Sequence, residues 1–344
     1  MATPSALKWS LAALACWFAP YSSLQAQTTV STPIVGFQKV SAPVGLSTLG
    51  FPLLNQDLLK GTASSLSGNS LTISGQTNVG SLLTGGEPYY VEVYGGTLKG
   101  DRFDVDTAAT IAAANGSVVL SASSGNNTVS VASIAAQLDG VTVALRKHIT
   151  LEQVQQMTSA PLVGNNSASS ADQIQLFDTA TGGYSAYYLR ADGSTWRKVG
   201  TTSVANKTPV PPGTGVFVSK QSSSVDFTST GTVRQNDFAL PYKSGLQLLA
   251  AGFPLDASPV AIGATTSNGW TGNNSASLAD QIQVYNPTSV GYEAYYLRSD
   301  GSTWRKVGTT TVVTTDQLMS SGRAFFVSRQ TADNSNILVN PITP

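Results

Sequence analysis

Residues Asn165–Thr202 read NNSASSADQIQLFDTATGGYSAYYLRADGSTWRKVGTT, and residues Asn273–Thr310 read NNSASLADQIQVYNPTSVGYEAYYLRSDGSTWRKVGTT, aligned without a gap. A match of this kind constrains the architecture before any local propensity does, because each copy must close the same structural unit. It continues, one residue out of step, from GVFVSKQ at Gly215 to AFFVSRQ at Ala324. A fainter echo links Gly45-Leu46 and Gly50-Phe51-Pro52-Leu53 with Gly245-Leu246 and Gly252-Phe253-Pro254-Leu255. On that echo the N-terminal stretch reads as a diverged third relative, with Tyr89–Val93 and 141–145 supplying strands.

Within each copy the side chains alternate as a half-buried strand requires. Tyr184, Ala186, Tyr188 and Arg190 share one face of their segment, and Ser185, Tyr187 and Leu189 the other. An Asp-Gly pair at Asp192-Gly193 then predicts a hairpin turn, with Thr195 to Gly200 returning as the second strand. Further short β-branched or aromatic runs, punctuated by Gly and Pro every eight to twelve residues, extend this texture through the N-terminal part. Helical patterns are few, at 131–138 and 150–157. The expected fold is therefore all-β, with tandem antiparallel β-sandwich or barrel-like modules and minor short helices. The expected boundaries are a signal peptide at 1–26, an N-terminal β domain at 27–149, one module copy at 150–221 and the other at 222–344.

The first segment has one charge, Lys8, before the apolar stretch from Leu11 to Ala19, and small residues up to Ala26, the layout of a secretory signal. The only cysteine, Cys16, lies inside it and lacks the leucine three residues upstream that lipid attachment favours. The expected location is thus secreted, periplasmic or cell-surface. No stretch is long and apolar enough to predict a transmembrane helix. Lysine plus arginine and aspartate plus glutamate both number 19, giving zero formal charge, so neither nucleic acid nor an anionic membrane is an expected main partner.

One histidine and one cysteine in the whole chain leave little for common catalytic or zinc chemistry. His148 has no nucleophile elbow to serve and reads as a surface or capping residue. Asp104 and Asp106 form a weak Ca²⁺ candidate, sharing a face if residues 102–106 are a strand, although salt pairing with Lys99 or Arg102 is the simpler reading. Asp172, Asp192, Asp280 and Asp300 recur in both copies. They are candidates for paired-carboxylate glycan cleavage, with turn and cap roles the plainer alternative. The most suggestive ligand face combines Tyr188, Arg190 and Trp196 with Tyr296, Arg298 and Trp304, since flat rings cover apolar sugar faces. The competing reading places these aromatics in the core. No cofactor is expected.

The elements GFPLL, YYVEV, GDRFDVDTAAT, NNSAS-ADQIQ, YYLR-DGSTWRKVGT and FFVSRQ resemble an uncharacterised family of secreted, repeat-containing proteins from Verrucomicrobia and similar bacteria. That resemblance implies export and no particular activity. The functional expectation is a non-enzymatic β-module protein with a structural, assembly or adhesion role, self-associating or meeting envelope polysaccharide or protein partners. Carbohydrate binding through the duplicated Tyr/Trp faces is the alternative, and glycan cleavage the third reading.

Overall fold

The computed structural model describes residues 33–342, without residues 123, 125–126, 179–181, 287–288, 290 and 332–333. The expected signal segment lies outside them. Strands make up 41% and helices 12%, so the fold is all-β. Among the described residues no helix is long and apolar enough to cross a membrane.

The Asp-Gly hairpin forms as its alternation predicts. Gly183–Leu189 pairs antiparallel with Trp196–Lys198, placing Leu189 opposite Trp196. Gly193 and Gly301 close the two equivalent turns at φ of +70° and +82°, a region that favours glycine. Each hairpin extends into a five-stranded sheet. In the first, the order is Trp196–Lys198, Gly183–Leu189, Gln173–Asp178, Val216–Lys220 and Gly45–Leu49. In the second it is Trp304–Lys306, Gly291–Leu297, Gln281–Asn286, Ala324–Arg329 and Gly245–Ala250. Each sheet has a two-stranded companion ribbon, Val35–Ala42 with Val225–Thr232 and Phe238–Tyr242 with Asn334–Leu338.

These pairings relocate the expected boundaries. The Gly45 echo is no third module; it supplies the fifth strand of the first sheet, with Gly45 opposite Lys220 as Gly245 is opposite Arg329. The first module therefore begins at Val35, and the second at Phe238. Residues 57–147 are placed between the fifth strand and the rest of the first module, where the second has only irregular chain and short turns. They form a six-stranded sheet, ordered Arg102–Asp104, Tyr89–Val93, Thr142–Lys147, Asp57–Ser67, Ser70–Ile73 and Ser117–Val119. Its core is its own, built around Leu71, Phe103, Val118 and Leu145. Sequence alone does not expose this insertion, because the pairing of Leu49 with Val216 spans it.

The two modules meet with an approximate two-fold relation. Ala250 donates its backbone N–H to the Gly213 carbonyl at 2.9 Å, and Gly50 donates to Gly322 at 2.8 Å. Beside these bonds Phe217 packs on Phe326, with ring centroids 5.9 Å apart. Two reciprocal contacts flank them, Phe177 with Phe326 at 5.7 Å and Phe217 with Tyr285 at 5.9 Å. Edge-on aromatic pairs of this kind add about 0.5–1.5 kcal/mol each beyond area burial.

Candidate functional site

The acids common to both modules are engaged in structure. Asp172 is buried, accepts the backbone N–H groups of Val163 and Gln221 at 2.8 Å each, and pairs with Lys220 Nζ. Asp280 accepts Thr271 N–H at 2.8 Å and Gln330 N–H at 2.7 Å, and pairs with Arg329 Nε at 2.7 Å. Each carboxylate thus ties three segments of its module at one closed corner. Asp192 is fully exposed and accepts Ser194 N–H at 2.8 Å and Thr195 N–H at 2.7 Å; these backbone donors hold its carboxyl down at about 2. Asp300 does the same for Ser302 and Thr303, at 3.1 and 2.8 Å, and hydrogen bonds from Thr303 lower its pKa.

The six aromatic and arginine candidates do not assemble into one face. Because Trp196 stands opposite Leu189, it shares the face of Leu189 and Tyr187, whereas Tyr188 and Arg190 project from the other. Trp196 and Trp304 are each 0% exposed and lie in the module cores. Trp196 Nε1 donates to Gln155 Oε1 at 2.8 Å, and Trp304 Nε1 to the Ala264 carbonyl at 2.9 Å. Neither indole offers a surface for a sugar to stack on. Tyr188 and Tyr296 are buried on the opposite face, with Arg190 and Arg298 half-buried beside them. The exposed aromatic pair is a different one, Tyr184 at 45% and Tyr292 at 46%, edge-on against Phe217 and Phe326. Burial, the nearby Tyr184 and then Tyr285 push the Tyr292 phenol up to about 12.

Asp104 and Asp106 also part company. The strand ends at Asp104, and Asp106 instead caps the helix Thr107–Ala113, accepting Ala109 N–H at 2.9 Å. Asp104 Oδ1 lies 2.9 Å from His148 Nε2. The surface reading of His148 is therefore corrected: the ring is 1% exposed and tilts over Tyr90 at 4.6 Å. No group of three or more potential metal-ligating side chains occurs among the described residues.

Sequence reasoning missed a buried polar cluster on the inserted sheet. Glu92 pairs with Arg234, and Arg146 Nε approaches it at 3.4 Å. Arg146 also donates to the Asn55 carbonyl at 2.8 Å and to the Tyr94 hydroxyl at 2.6 Å. All of Glu92, Arg146 and Arg234 are buried. Burial pushes Arg234 down to about 10, and burial raises Tyr90 despite three neighbouring arginines. The alternating pattern of 89–93 hints at a strand, but nothing local tells that Glu92 points to an arginine 142 positions on (234 − 92). At the surface, Lys207 bridges Glu87 and Glu152 at 2.6 Å each.

Chemically, this arrangement can hold three pieces of chain in register, and none of its groups is a nucleophile poised beside a base. Comparison of the chain with protein-family models, with curated proteins and with solved structures finds no match.

Proposed function

We propose that the chain is a non-enzymatic β-module protein of the extracellular space or cell surface, derived by internal duplication and serving a structural, assembly or adhesion role. The observation that carries this reading is the use made of the shared acids. Asp172 and Asp280 are locked in buried ion pairs, and Asp192 and Asp300 in turns, which leaves no matched carboxylate pair facing a groove. Export rests on the layout of residues 1–26. A partner surface is offered by the ribbon strand Val35–Ala42, whose Val35 and Phe37 are 72% and 76% exposed. Exposed apolar strands of this kind template pairing with another chain.

The test is sedimentation of the purified chain across a concentration series, beside a polysaccharide turnover screen. Concentration-dependent association that weakens at least ten-fold in Phe37→Lys, with no turnover, supports the reading. A monomer at all concentrations, or glycan cleavage abolished by one Asp-to-Asn change, overturns it. Carbohydrate binding stands second, favoured by the matched exposure of Tyr184 and Tyr292 and not by Trp196 or Trp304.

A further inference from the structure

A cavity of about 180 Å³ lies where the inserted sheet and both modules converge. It compares with the roughly 150 Å³ engineered cavity that accepts benzene and falls below the roughly 300–1,000 Å³ of pockets for drug-sized ligands. Its occupant is therefore a molecule about the size of one six-membered ring. Arg102 reaches it from the inserted sheet, Pro209 and Pro211 from the first module, and Lys243, Gln247 and Leu248 from the second. Among the described residues, no aspartate or glutamate lines it.

The charge at this cavity is unbalanced. Arg102 is 4% exposed and, among the described residues, has no ion pair; its Nε has no hydrogen-bond partner. One terminal amino group donates to the Ala239 carbonyl at 3.1 Å, and the guanidinium sits 5.2 Å from the Phe238 ring, so the group is held in place. Asp101 and Asp104 influence Arg102 through space, but neither reaches ion-pair distance. Burial pushes the guanidinium down to about 10, which leaves it charged at neutral pH. Lys243, half-buried, likewise has no ion pair among the described residues. A buried cation without a counter-ion is costly, and an anion entering the cavity would supply the missing charge through a charge-assisted bond. The proline and leucine walls favour an organic body over a bare inorganic ion.

We propose that this cavity binds a small carboxylate carried on a ring-sized body, the acid seated between Arg102 and Lys243 and the ring against Pro209, Pro211 and Leu248. This site is independent of the association surface above. Calorimetric titration of the full chain with benzoate and with glucuronate distinguishes a free organic acid from a sugar acid, with benzamide and inorganic phosphate as controls. Saturable one-to-one binding of either acid is expected, with benzamide at least ten-fold weaker. Lys243→Gln is expected to weaken the acid at least ten-fold without changing the unfolding midpoint, and Arg102→Lys to weaken it further. The proposal is overturned if neither acid saturates the site, if phosphate binds as tightly as the better acid, or if Lys243→Gln leaves acid binding unchanged.

Discussion

At the closed corner of the first module a buried lysine, Lys220, meets Asp172; at the matching corner of the second an arginine, Arg329, meets Asp280. The backbone donors are the same in kind, yet the second corner is more elaborate. Arg329 also donates to the Gly269 carbonyl at 2.6 Å and lies 4.7 Å from the Trp270 ring. The modules differ again along their seam. Gly50 and Gly215 of the first stand against Ala250 and Ala324 of the second, and a Cβ on Gly215 would overlap the Ala324 methyl. The difference teaches that a shared strand order tolerates unlike corner chemistry, whereas the seam demands that one side stay small where the other has a methyl group.

Breaking the corners gives the largest expected effect. Asp280→Asn strands an arginine that cannot shed its proton, and a loss of about 3–5 kcal/mol is expected. Asp172→Asn strands a lysine, a residue type that can be buried neutral, so a smaller loss is expected. Urea unfolding midpoints of the two variants check the order, and equal losses would remove the distinction between the corners. The seam comes next. Gly215→Ala is expected to cost about 1–3 kcal/mol by overpacking, and adding Ala324→Gly is expected to return part of it, since the Leu248 side chain and the Leu249 carbonyl also stand 3.0 Å from the added Cβ. A thermal unfolding series that shows no recovery would mean that the methyl groups do not oppose each other. The smallest contrast concerns the indoles. Both Trp196→Phe and Trp304→Phe lose a hydrogen bond, but the half-buried Gln155 amide can turn to water, whereas the carbonyl of buried Ala264 cannot. The second variant is therefore expected to be weaker than the first by about 1–2 kcal/mol, read by the same unfolding measurement.

Much of each module was legible because its signals are local. Alternation in 184–190, the Asp-Gly pairs and the helical pattern at 150–157, which forms the helix Leu151–Gln156, all act over a few residues. The helix at Thr107–Ala113 was missed because its capping Asp106 reads equally as one of a pair of metal-binding acids. The strand Asp57–Ser67 was missed because Gly61 and a run of small polar residues blur its period. Long-range partners were illegible in principle: His148 reads as isolated because Asp104 lies 44 positions away, and nothing near Arg234 in sequence signals its pairing with Glu92 of the inserted sheet. The resemblance between GLxxLGFPL and GLxxLAAGFPL was visible, but its meaning depended on which edge that strand joins.

Placing a self-contained sheet inside the first module also sets a timetable. A chain emerging from its N-terminus presents Val35–Ala42 and Gly45–Leu49 first, but their hydrogen-bonding mates at Val225–Thr232 and Val216–Lys220 arrive well over a hundred residues afterwards. At roughly 5–20 residues per second of synthesis, those early strands wait on the order of ten to forty seconds with unsatisfied edges. The intervening sheet has all its own strands by Lys147 and can finish meanwhile. The first strands of the second module, Phe238–Tyr242 and Gly245–Ala250, meet their mates Asn334–Leu338 and Ala324–Arg329 within a hundred residues and wait only about half as long, so the earliest-made strands of the protein are the ones left unpaired longest.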